Sequence, residues 1–210
     1  MKKESTERRL ERIHNAVMKL IERRDINDIS IYDVAKEASI ATSTVYHHYH
    51  NISELFDFLM SSVFIDFERV LYESIDESRI NCWCDINRMI EEGFVRYYRE
   101  NLLAQKLLLS QHTFSSIRHA DFENDAYLGG LVDGIYRKYF DIPLQPNHVN
   151  IFTVALQLAD KVYSLNYRNY GSIDPIMAEE AIKATQSYLS LYLPPCINLK
   201  SNKIIHESFV

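Results

Sequence analysis

The first 92 residues of the chain contain neither glycine nor proline. These two residue types form most of the tight turns between β-strands, so a chain that lacks them over such a length has little means of building hairpins. All 210 residues include only five glycines and five prolines, while 47% of the residues are apolar. This composition is typical of a globular protein rather than of a disordered one. We therefore predict an all-α fold with almost no sheet.

Residues 31–59 contain the clearest local pattern. In the stretch IYDVAKEASIATSTVYHHYHNISELFDFL, Val34 and Ala38 fall on one face of a first short helix, and Val45 and Tyr49 fall on one face of a second. Only three residues separate the two helices. This arrangement predicts a helix-turn-helix, followed at once by the start of a longer helix.

The outward face of the second short helix is polar. Its side chains carry hydroxyl and imidazole groups of moderate length, which can donate to or accept from the edges of base pairs in the major groove of DNA. We refer to this set of residues as the reading face: Thr42, Ser43, Thr44, Tyr46, His47 and His48.

The charge of the chain gives this face little electrostatic support. The formal net charge is -6, and no lysine or arginine lies between Lys36 and Arg69. Because neutralisation of phosphates normally supplies much of the affinity for DNA, the positive charge has to come from other parts of the chain. A basic cluster precedes and opens the first helix, and it comprises Lys2, Lys3, Arg8, Arg9 and Arg12.

Apolar residues at helical spacing predict about nine helices in total. The long tract that follows the helix-turn-helix is the only continuous element that could connect an N-terminal domain with the rest of the chain. Outside the helix-turn-helix, the predicted helical tracts are residues 6–24, 51–72, 85–100, 102–115, 122–140, 147–170 and 174–193.

Local capping signals mark several of these helix starts. Ser30 and Asp33 form the pattern of a capping box at the second helix. Asn51 is a suitable N-cap for the long helix. Asp174 is a suitable N-cap for the last helix, where Pro175 occupies the first turn and its missing N–H costs nothing.

The last two predicted helices carry stripes that mix small and large side chains. Small residues permit the close approach of helices, so the stripes could form the core of one chain or a helix-pair interface between two chains. The stripe residues that we assign to a candidate dimer interface are Phe152, Ala155, Ala159, Tyr163, Ala181, Ala184, Tyr188 and Leu191.

The order of an amphipathic first helix and then DVAKEASIATSTVYHHYHNISEL resembles the DNA-binding module of TetR-type transcriptional regulators. The resemblance covers roughly residues 6–60. The run TVYHHY supplies the family's Thr-Leu/Val-Tyr-x-x-Phe core, and SEL supplies the opening of its fourth helix. The sequence departs from the family where glycine, glycine or proline, and a phosphate-contacting lysine are usual, at Ser39, Ser43 and Ile52.

The resemblance implies a homodimeric transcriptional regulator. We expect a cytoplasmic location because the N-terminus has no apolar signal segment and the three cysteines have no framework spacing. In the family, such a protein is most often a repressor that binds a palindromic operator in double-stranded DNA and is released by a small apolar effector. It implies a helix-turn-helix DNA-binding domain over residues 1–52 and a ligand-binding and dimerisation domain over residues 53–210. It also implies that Thr42, Ser43 and His47 face base edges, while Thr44, Tyr46 and His48 contact phosphates or a thymine methyl group.

The resemblance favours the two-fold interface for the stripes described above. It also implies a cavity for the effector among aromatic side chains of the C-terminal helices, although aromatic residues at this spacing are usually core. The candidate ligand-binding residues are Phe64, Phe67, Trp83, Phe94, Tyr97, Phe114, Tyr127 and Phe152.

Other classes of function have little support. The sequence has no phosphate loop, no G-x-S-x-G and no H-E-x-x-H, so we expect neither an enzyme nor a cofactor. His47 and His50 lie one turn apart without further ligands, and Cys82 and Cys84 have no partner motif, so we expect no metal site. We expect no membrane contact because no apolar run is long enough to span a bilayer. The alternative is a helical ligand- or lipid-binding protein of the same fold without DNA binding, which the acidic balance and Ile52 favour.

Overall fold

The N-terminal part of the chain forms three helices in the computed structural model, which describes residues 5–200. The helices of this part are α1 (Thr6–Ile21), α2 (Ile31–Glu37) and α3 (Thr42–His48). A short 3-10 turn, Ile26–Asp28, separates the first two. The long helix α4 (Ile52–Glu73) follows α3 directly, as the sequence predicts.

The predicted caps are present at all three sites. The Ser30 side chain accepts a hydrogen bond from the backbone N–H of Asp33, and the Asp33 carboxylate accepts from the backbone N–H of Ser30. The side chain of Asn51 accepts from the N–H of Glu54. The side chain of Asp174 accepts from an N–H in the first turn of the last helix, which begins at Pro175. Each cap satisfies a backbone donor that the helix itself leaves unpaired.

Five further helices complete the described part of the chain. They are α5 (Trp83–Glu100), α6 (Leu102–Ala104), α7 (Ser115–Tyr139), α8 (Ile151–Tyr170) and α9 (Pro175–Leu189). The prediction of an all-α fold with about nine helices is confirmed for residues 5–200, where no strand occurs beyond one isolated bridge between Phe140 and Leu199.

The boundary between α6 and α7 differs from the prediction. After α6 the chain continues as a π-helix, Gln105–Leu109, and then runs extended before α7 begins, instead of remaining helical to residue 115. The reason is a contact with the N-terminal part. The amide group of Asn27 donates to the carbonyl of Gln111 at 3.1 Å and accepts from the N–H of Thr113 at 3.1 Å. These bonds hold the segment in an extended conformation, and nothing in the local sequence indicates them.

The C-terminal helices pack closely around a shared core. A Cβ atom added at Gly129 of α7 would lie 2.7 Å from the backbone nitrogen of Thr153 in α8, so glycine is what permits this close approach. The buried apolar residues form one contiguous cluster from Ile13 to Leu193. None of the helices within residues 5–200 is long and apolar enough to cross a membrane.

The candidate dimer interface requires a correction. Five of its eight side chains lie in the core of the single chain, each with at most 4% of its surface exposed, and so offer almost nothing to a second copy: Phe152, Ala155, Ala159, Tyr163 and Ala181. The close spacing of small residues therefore serves packing of α8 and α9 within one chain. Ala184 and Tyr188 are half-buried, while Leu191 is 74% exposed, so an interface role for these three stays a prediction.

Candidate nucleic-acid interface and internal cavity

Helix α3 presents its polar side chains outward. Val45 and Tyr49 are buried against the core, as the sequence predicts. The six residues of the reading face lie on the remaining surface, where Ser43, Tyr46 and His47 are exposed and the other three are half-buried. The structure therefore leaves the reading face accessible, and its contacts with DNA stay a prediction.

The turn that precedes α3 is held by an arginine of α1. The Arg12 guanidinium donates from Nη2 to the carbonyl of Ala38 at 2.6 Å and to the carbonyl of Ser39 at 2.8 Å. Ser39 has a φ of 54°, in the left-handed region that favours glycine, which is the residue usual at this position in the family that the sequence resembles. Arg12 therefore stabilises the turn and is not available as the phosphate contact that the sequence analysis expected.

The other basic residues of the N-terminal cluster differ in what they can contribute. Arg8 is exposed, and Arg9 donates from Nη2 to the Thr6 hydroxyl at 3.4 Å. Lys2 and Lys3 lie outside the described residues. Arg8 is accordingly the clearest remaining candidate for a phosphate contact from this cluster.

Histidines flank the end of α3. Burial lowers the pKa of His48, and the neighbouring His47 and Arg9 lower it further, so His48 is neutral near pH 7. His50 pairs with the Glu54 carboxylate, with Nδ1 2.9 Å from Oε2. The backbone N–H of His50 donates to the same oxygen at 2.6 Å, and these bonds lower the pKa of Glu54. His50 therefore stabilises the start of α4 through Glu54, which lies in the first turn of that helix.

A small cavity lies among α4, α5, α7 and α8. Its volume is about 20 Å³, which is room for a single water molecule. We refer to it as the acidic cavity because three carboxyl groups and four aromatic rings stand around it. Its lining consists of Phe67, Phe94, Tyr98, Asp121, Asn124, Asp125, Leu128, Leu156, Ala159, Asp160 and Tyr163.

Two tyrosines donate hydrogen bonds to carboxyl groups at or behind the cavity. The Tyr98 hydroxyl donates to Oδ1 of Asp160 at 3.1 Å. The Tyr163 hydroxyl donates to Oε2 of Glu91 at 2.5 Å, and Glu91 lies behind Tyr163, buried in α5. These two bonds link α5 and α8, and α7 adds the carboxyl groups of Asp121 and Asp125 to the same acidic network.

Burial raises the pKa of every carboxyl group in this network. The pKa rises to about 7 for Glu91, to about 6 for Asp121 and to about 7 for Asp125, and it rises well above its ordinary value for Asp160. Repulsion from neighbouring carboxylates adds to the effect of burial on Asp125 and Asp160. Within residues 5–200, no lysine, arginine or histidine forms an ion pair with any of the four.

Three comparisons relate this architecture to known proteins. A family described as bacterial regulatory proteins, tetR family, matches residues 13–58. An uncharacterized HTH-type transcriptional regulator from Haemophilus influenzae is 33% identical over 69 residues, which are 33% of this chain and 37% of the relative. The match therefore spans little more than a third of the relative's own length.

Solved structures show the same fold over most of the chain. A TetR-family transcriptional regulator from Streptomyces coelicolor superposes with a TM-score of 0.67 at 20% identity, covering 88% of this chain and 99% of that one. SmeT in complex with triclosan superposes with a TM-score of 0.57 at 14% identity, covering 93% of both chains.

Residues 13–58 match the TetR family model, and the described chain has the fold of a TetR-family structure. The matched residues 13–58 contain the whole reading face and the turn at Ala38 and Ser39, and Arg12, which supports that turn, lies just before them. The resemblance that the sequence shows is thus confirmed, and so is the helix-turn-helix.

The candidate ligand-binding residues do not form one site in this structure. Only Phe67 and Phe94 line the acidic cavity. Trp83 is buried and donates from Nε1 to the carbonyl of Pro194 at 3.0 Å, and Tyr127 is exposed and donates to Glu68 at 3.0 Å. The others lie elsewhere in the core or partly exposed, namely Phe64, Tyr97, Phe114 and Phe152.

The sequence analysis missed the acidic residues of the cavity. One of them carries a usable signal, because Asp160 lies four residues after Leu156 and three before Tyr163, on the same helical stripe as buried residues. A carboxylate on a predicted apolar stripe indicates a buried charge. Asp121 and Asp125 give no comparable signal, since their burial depends on how α7 packs on α8.

Hydrogen bonds connect the helix-turn-helix part of the chain with the C-terminal helices. At the start of α7, the Ser116 hydroxyl donates to Oδ1 of Asp57 at 2.9 Å and lies 2.7 Å from the Ser53 hydroxyl. Ser53 and Asp57 belong to the first turns of α4, directly after the reading helix. The first turn of α7 therefore holds the end of α4 that is nearest to α3.

Proposed function

We propose that this protein is a DNA-binding transcriptional regulator that acts as a homodimer, represses its target and is released by a small molecule. The observation that carries the proposal is the outward reading face on α3, within the segment that matches the TetR family. Two copies related by a two-fold axis would place two α3 helices in successive major grooves of a palindromic operator. The domain boundary near residue 52 is part of the same proposal.

Two apolar stripes support the homodimer. Several large apolar side chains are more than a third exposed in the single chain. Leu158 and Leu165 lie on α8, Ile176 lies in the first turn of α9, and Leu191 lies just after its end. Large apolar side chains that remain exposed on two helices packed against each other make these helices the candidate interaction surface. It uses the outer faces of the two helices, whereas the sequence analysis assigned the interface mainly to their inner faces.

The small-molecule response has two supports. SmeT, a protein of the same fold, holds triclosan. In this chain, α7 contributes Asp121 and Asp125 to the acidic cavity and Ser116 to the contact with α4. A ligand that binds better to a state with a different position of α7 would move α4 and the reading helix, and it would shift the population by no more than its difference in affinity between the two states.

The test of DNA binding is a gel-shift titration of the full chain against genomic fragments at low salt. We expect retarded fragments whose shared sequence is a palindrome. His47→Ala should relax the preference at one base pair by about 1 to 3 kcal/mol if the imidazole reads a base. His119→Ala, an exposed histidine of α7, is the matched control and should bind as the wild type does.

The same titration separates the proposal from its alternative. A protein of this fold that has no DNA function would retard no fragment at any salt concentration, and the net charge of -6 together with the engagement of Arg12 favours that alternative. For the homodimer, Tyr188→Glu with Leu191→Glu should yield a monomer in light scattering. Leu144→Glu, in a fully exposed loop position, is the control and should leave the dimer intact.

A further inference from the structure

We infer that the acidic cavity binds the ammonium group of an organic cation with an apolar body, in place of the neutral apolar molecule that the family resemblance implies. The role of this cation as the releasing effector rests on the proposed function. Its binding does not, and the two can be tested separately.

The first support is negative charge without a counter-charge. Asp125 is 8% exposed and lines the cavity, and the polar group beside its carboxylate is the neutral side chain of Gln157. Asp121 and Asp160 line the same cavity, and Glu91 lies behind it. Among the residues that the structure describes, these carboxyl groups have no cationic partner. Since like charges in a buried site destabilise each other, a bound cation would be strongly favoured there.

The second support is the aromatic wall. The Phe67 ring stands edge-to-face against Phe94 and Tyr98, with ring centroids 5.3 Å apart in both pairs. The Tyr98 and Tyr163 hydroxyls donate to Asp160 and Glu91, so these two O–H groups are engaged by carboxylates and do not themselves bring a counter-charge. Aromatic faces attract organic ammonium groups through their quadrupoles, most strongly where water is excluded.

The third support is a route from solvent. Asp121 borders both the acidic cavity and an open surface groove along the π-helix. Among the apolar residues that line the groove, Leu108 is half-buried and could contact an apolar body. The groove also contains the basic residues Arg118, Lys161 and Arg168, which would disfavour a second positive charge outside the cavity. The geometry therefore favours a monocation with an apolar tail over a polyamine.

A metal ion fits this site less well. Within residues 5–200, no three histidine, cysteine, aspartate or glutamate side chains are grouped so that they could hold a metal ion. Metal sites of hard cations need several converging oxygen ligands, whereas a single ammonium group needs one or two carboxylates and benefits from aromatic faces.

The experiment is isothermal titration of the full chain at pH 8 with hexylammonium, 1-hexanol and hexanoate, which share one apolar body. We expect saturable binding of hexylammonium, with 1-hexanol and hexanoate at least tenfold weaker. Asp125→Asn should weaken hexylammonium at least tenfold. Asp133→Asn on the same helix, where the carboxylate pairs with Arg137 at the surface, is the control and should bind as the wild type does.

The pH dependence gives a second readout. Because the carboxyl groups must ionise to bind a cation, the affinity for hexylammonium should rise at least fivefold between pH 5.5 and pH 8 in the wild type, and less in Asp125→Asn. If Asp125→Asn does not fold, Asp160→Asn takes its place.

Equal binding of 1-hexanol and hexylammonium would overturn the inference, as would an Asp125→Asn variant that binds hexylammonium like the wild type. These titrations contain no DNA. Hexylammonium binding by a protein that retards no DNA fragment would overturn the proposed function and leave the cation site standing. DNA binding by a protein that does not bind hexylammonium would overturn the cation site and leave the proposed DNA-binding function standing.

Discussion

The pKa values of carboxyl groups are shifted in opposite directions in the helix-turn-helix and in the C-terminal helices. Asp33 in α2 accepts hydrogen bonds from Ser30 and pairs with Arg24 at 2.8 Å, and the pKa of Asp33 falls to about 2. Asp125 in α7 is buried without an ion pair, and its pKa rises to about 7. The first carboxylate stabilises the fold when it is ionised, whereas the second destabilises it.

The two parts of the chain use their charged groups in different ways. The helix-turn-helix uses its charges to fix a surface, since Arg12, Arg24 and Asp33 all hold turns or helix starts. The acidic cavity keeps charges that nothing within the described chain neutralises. A buried group of like charges that lacks a counter-ion can gain stability from a bound cation.

The largest expected effect comes from removing the uncompensated charge. Asp125→Asn should raise the free energy of unfolding at pH 8 by about 4 kcal/mol, because a pKa raised from 3.8 to about 7 favours the protonated form in the folded state. The folded protein then binds more protons than the unfolded chain, so stability falls as the pH rises from about 4 to about 7. Urea unfolding at pH 5 and pH 8 measures this, and the variant should show the smaller difference. Asp133→Asn should keep the wild-type pH dependence, and an unchanged profile in Asp125→Asn would contradict the comparison.

The next effect concerns the turn of the helix-turn-helix. Arg12→Met should destabilise the N-terminal part by about 2 kcal/mol, because the carbonyls of Ala38 and Ser39 lose a charged donor. Faster hydrogen exchange of the amides in α2 and α3, with little change in α8, would report it. Arg8→Met changes an exposed arginine of the same helix and should stay within about 0.5 kcal/mol of the wild type. Equal effects of the two substitutions would show that the turn does not depend on Arg12.

A smaller effect is expected at the capping box. Asp33→Asn should lower the free energy of unfolding at pH 7 by about 1 kcal/mol, since it weakens the cap and the ion pair with Arg24. Because the folded pKa lies below the ordinary value of 3.8, this contribution is complete above about pH 4 and is lost as the pH falls toward 2. Denaturant unfolding at pH 7 and pH 3 measures it, with the exposed Asp28→Asn as control.

The smallest effect has the opposite sign. Ser39→Gly should stabilise the protein by about 0.5 to 1 kcal/mol, because glycine adopts a φ of 54° without the steric cost that serine bears. Ser43→Gly, a few residues away in α3, should instead destabilise by about 1 kcal/mol, since glycine is unfavourable inside a helix. Thermal unfolding of the pair measures both signs, and destabilisation by Ser39→Gly would mean that the serine hydroxyl has a role in the turn.

The helices, their caps and the outward face of α3 can be predicted from the amino-acid sequence. These features depend on residues a few positions apart, such as Ser30 with Asp33 or Val45 with Tyr49, so the periodicity of apolar residues and the chemistry of single side chains suffice to predict them. The resemblance to the TetR family rests on the same local run.

Three features follow only from the tertiary structure: which side of α8 and α9 is core, where α6 ends and α7 begins, and which carboxylates are buried. Each of these depends on side chains far apart in sequence, as Asn27 with Thr113 or Tyr98 with Asp160. A stripe of small residues is compatible with packing within one chain or between two, and an aspartate on α7 is compatible with solvent or with a cavity. Only the packing of α7 against α4 and α8 turns Asp121 and Asp125 into charges with no neutralising partner in the described chain.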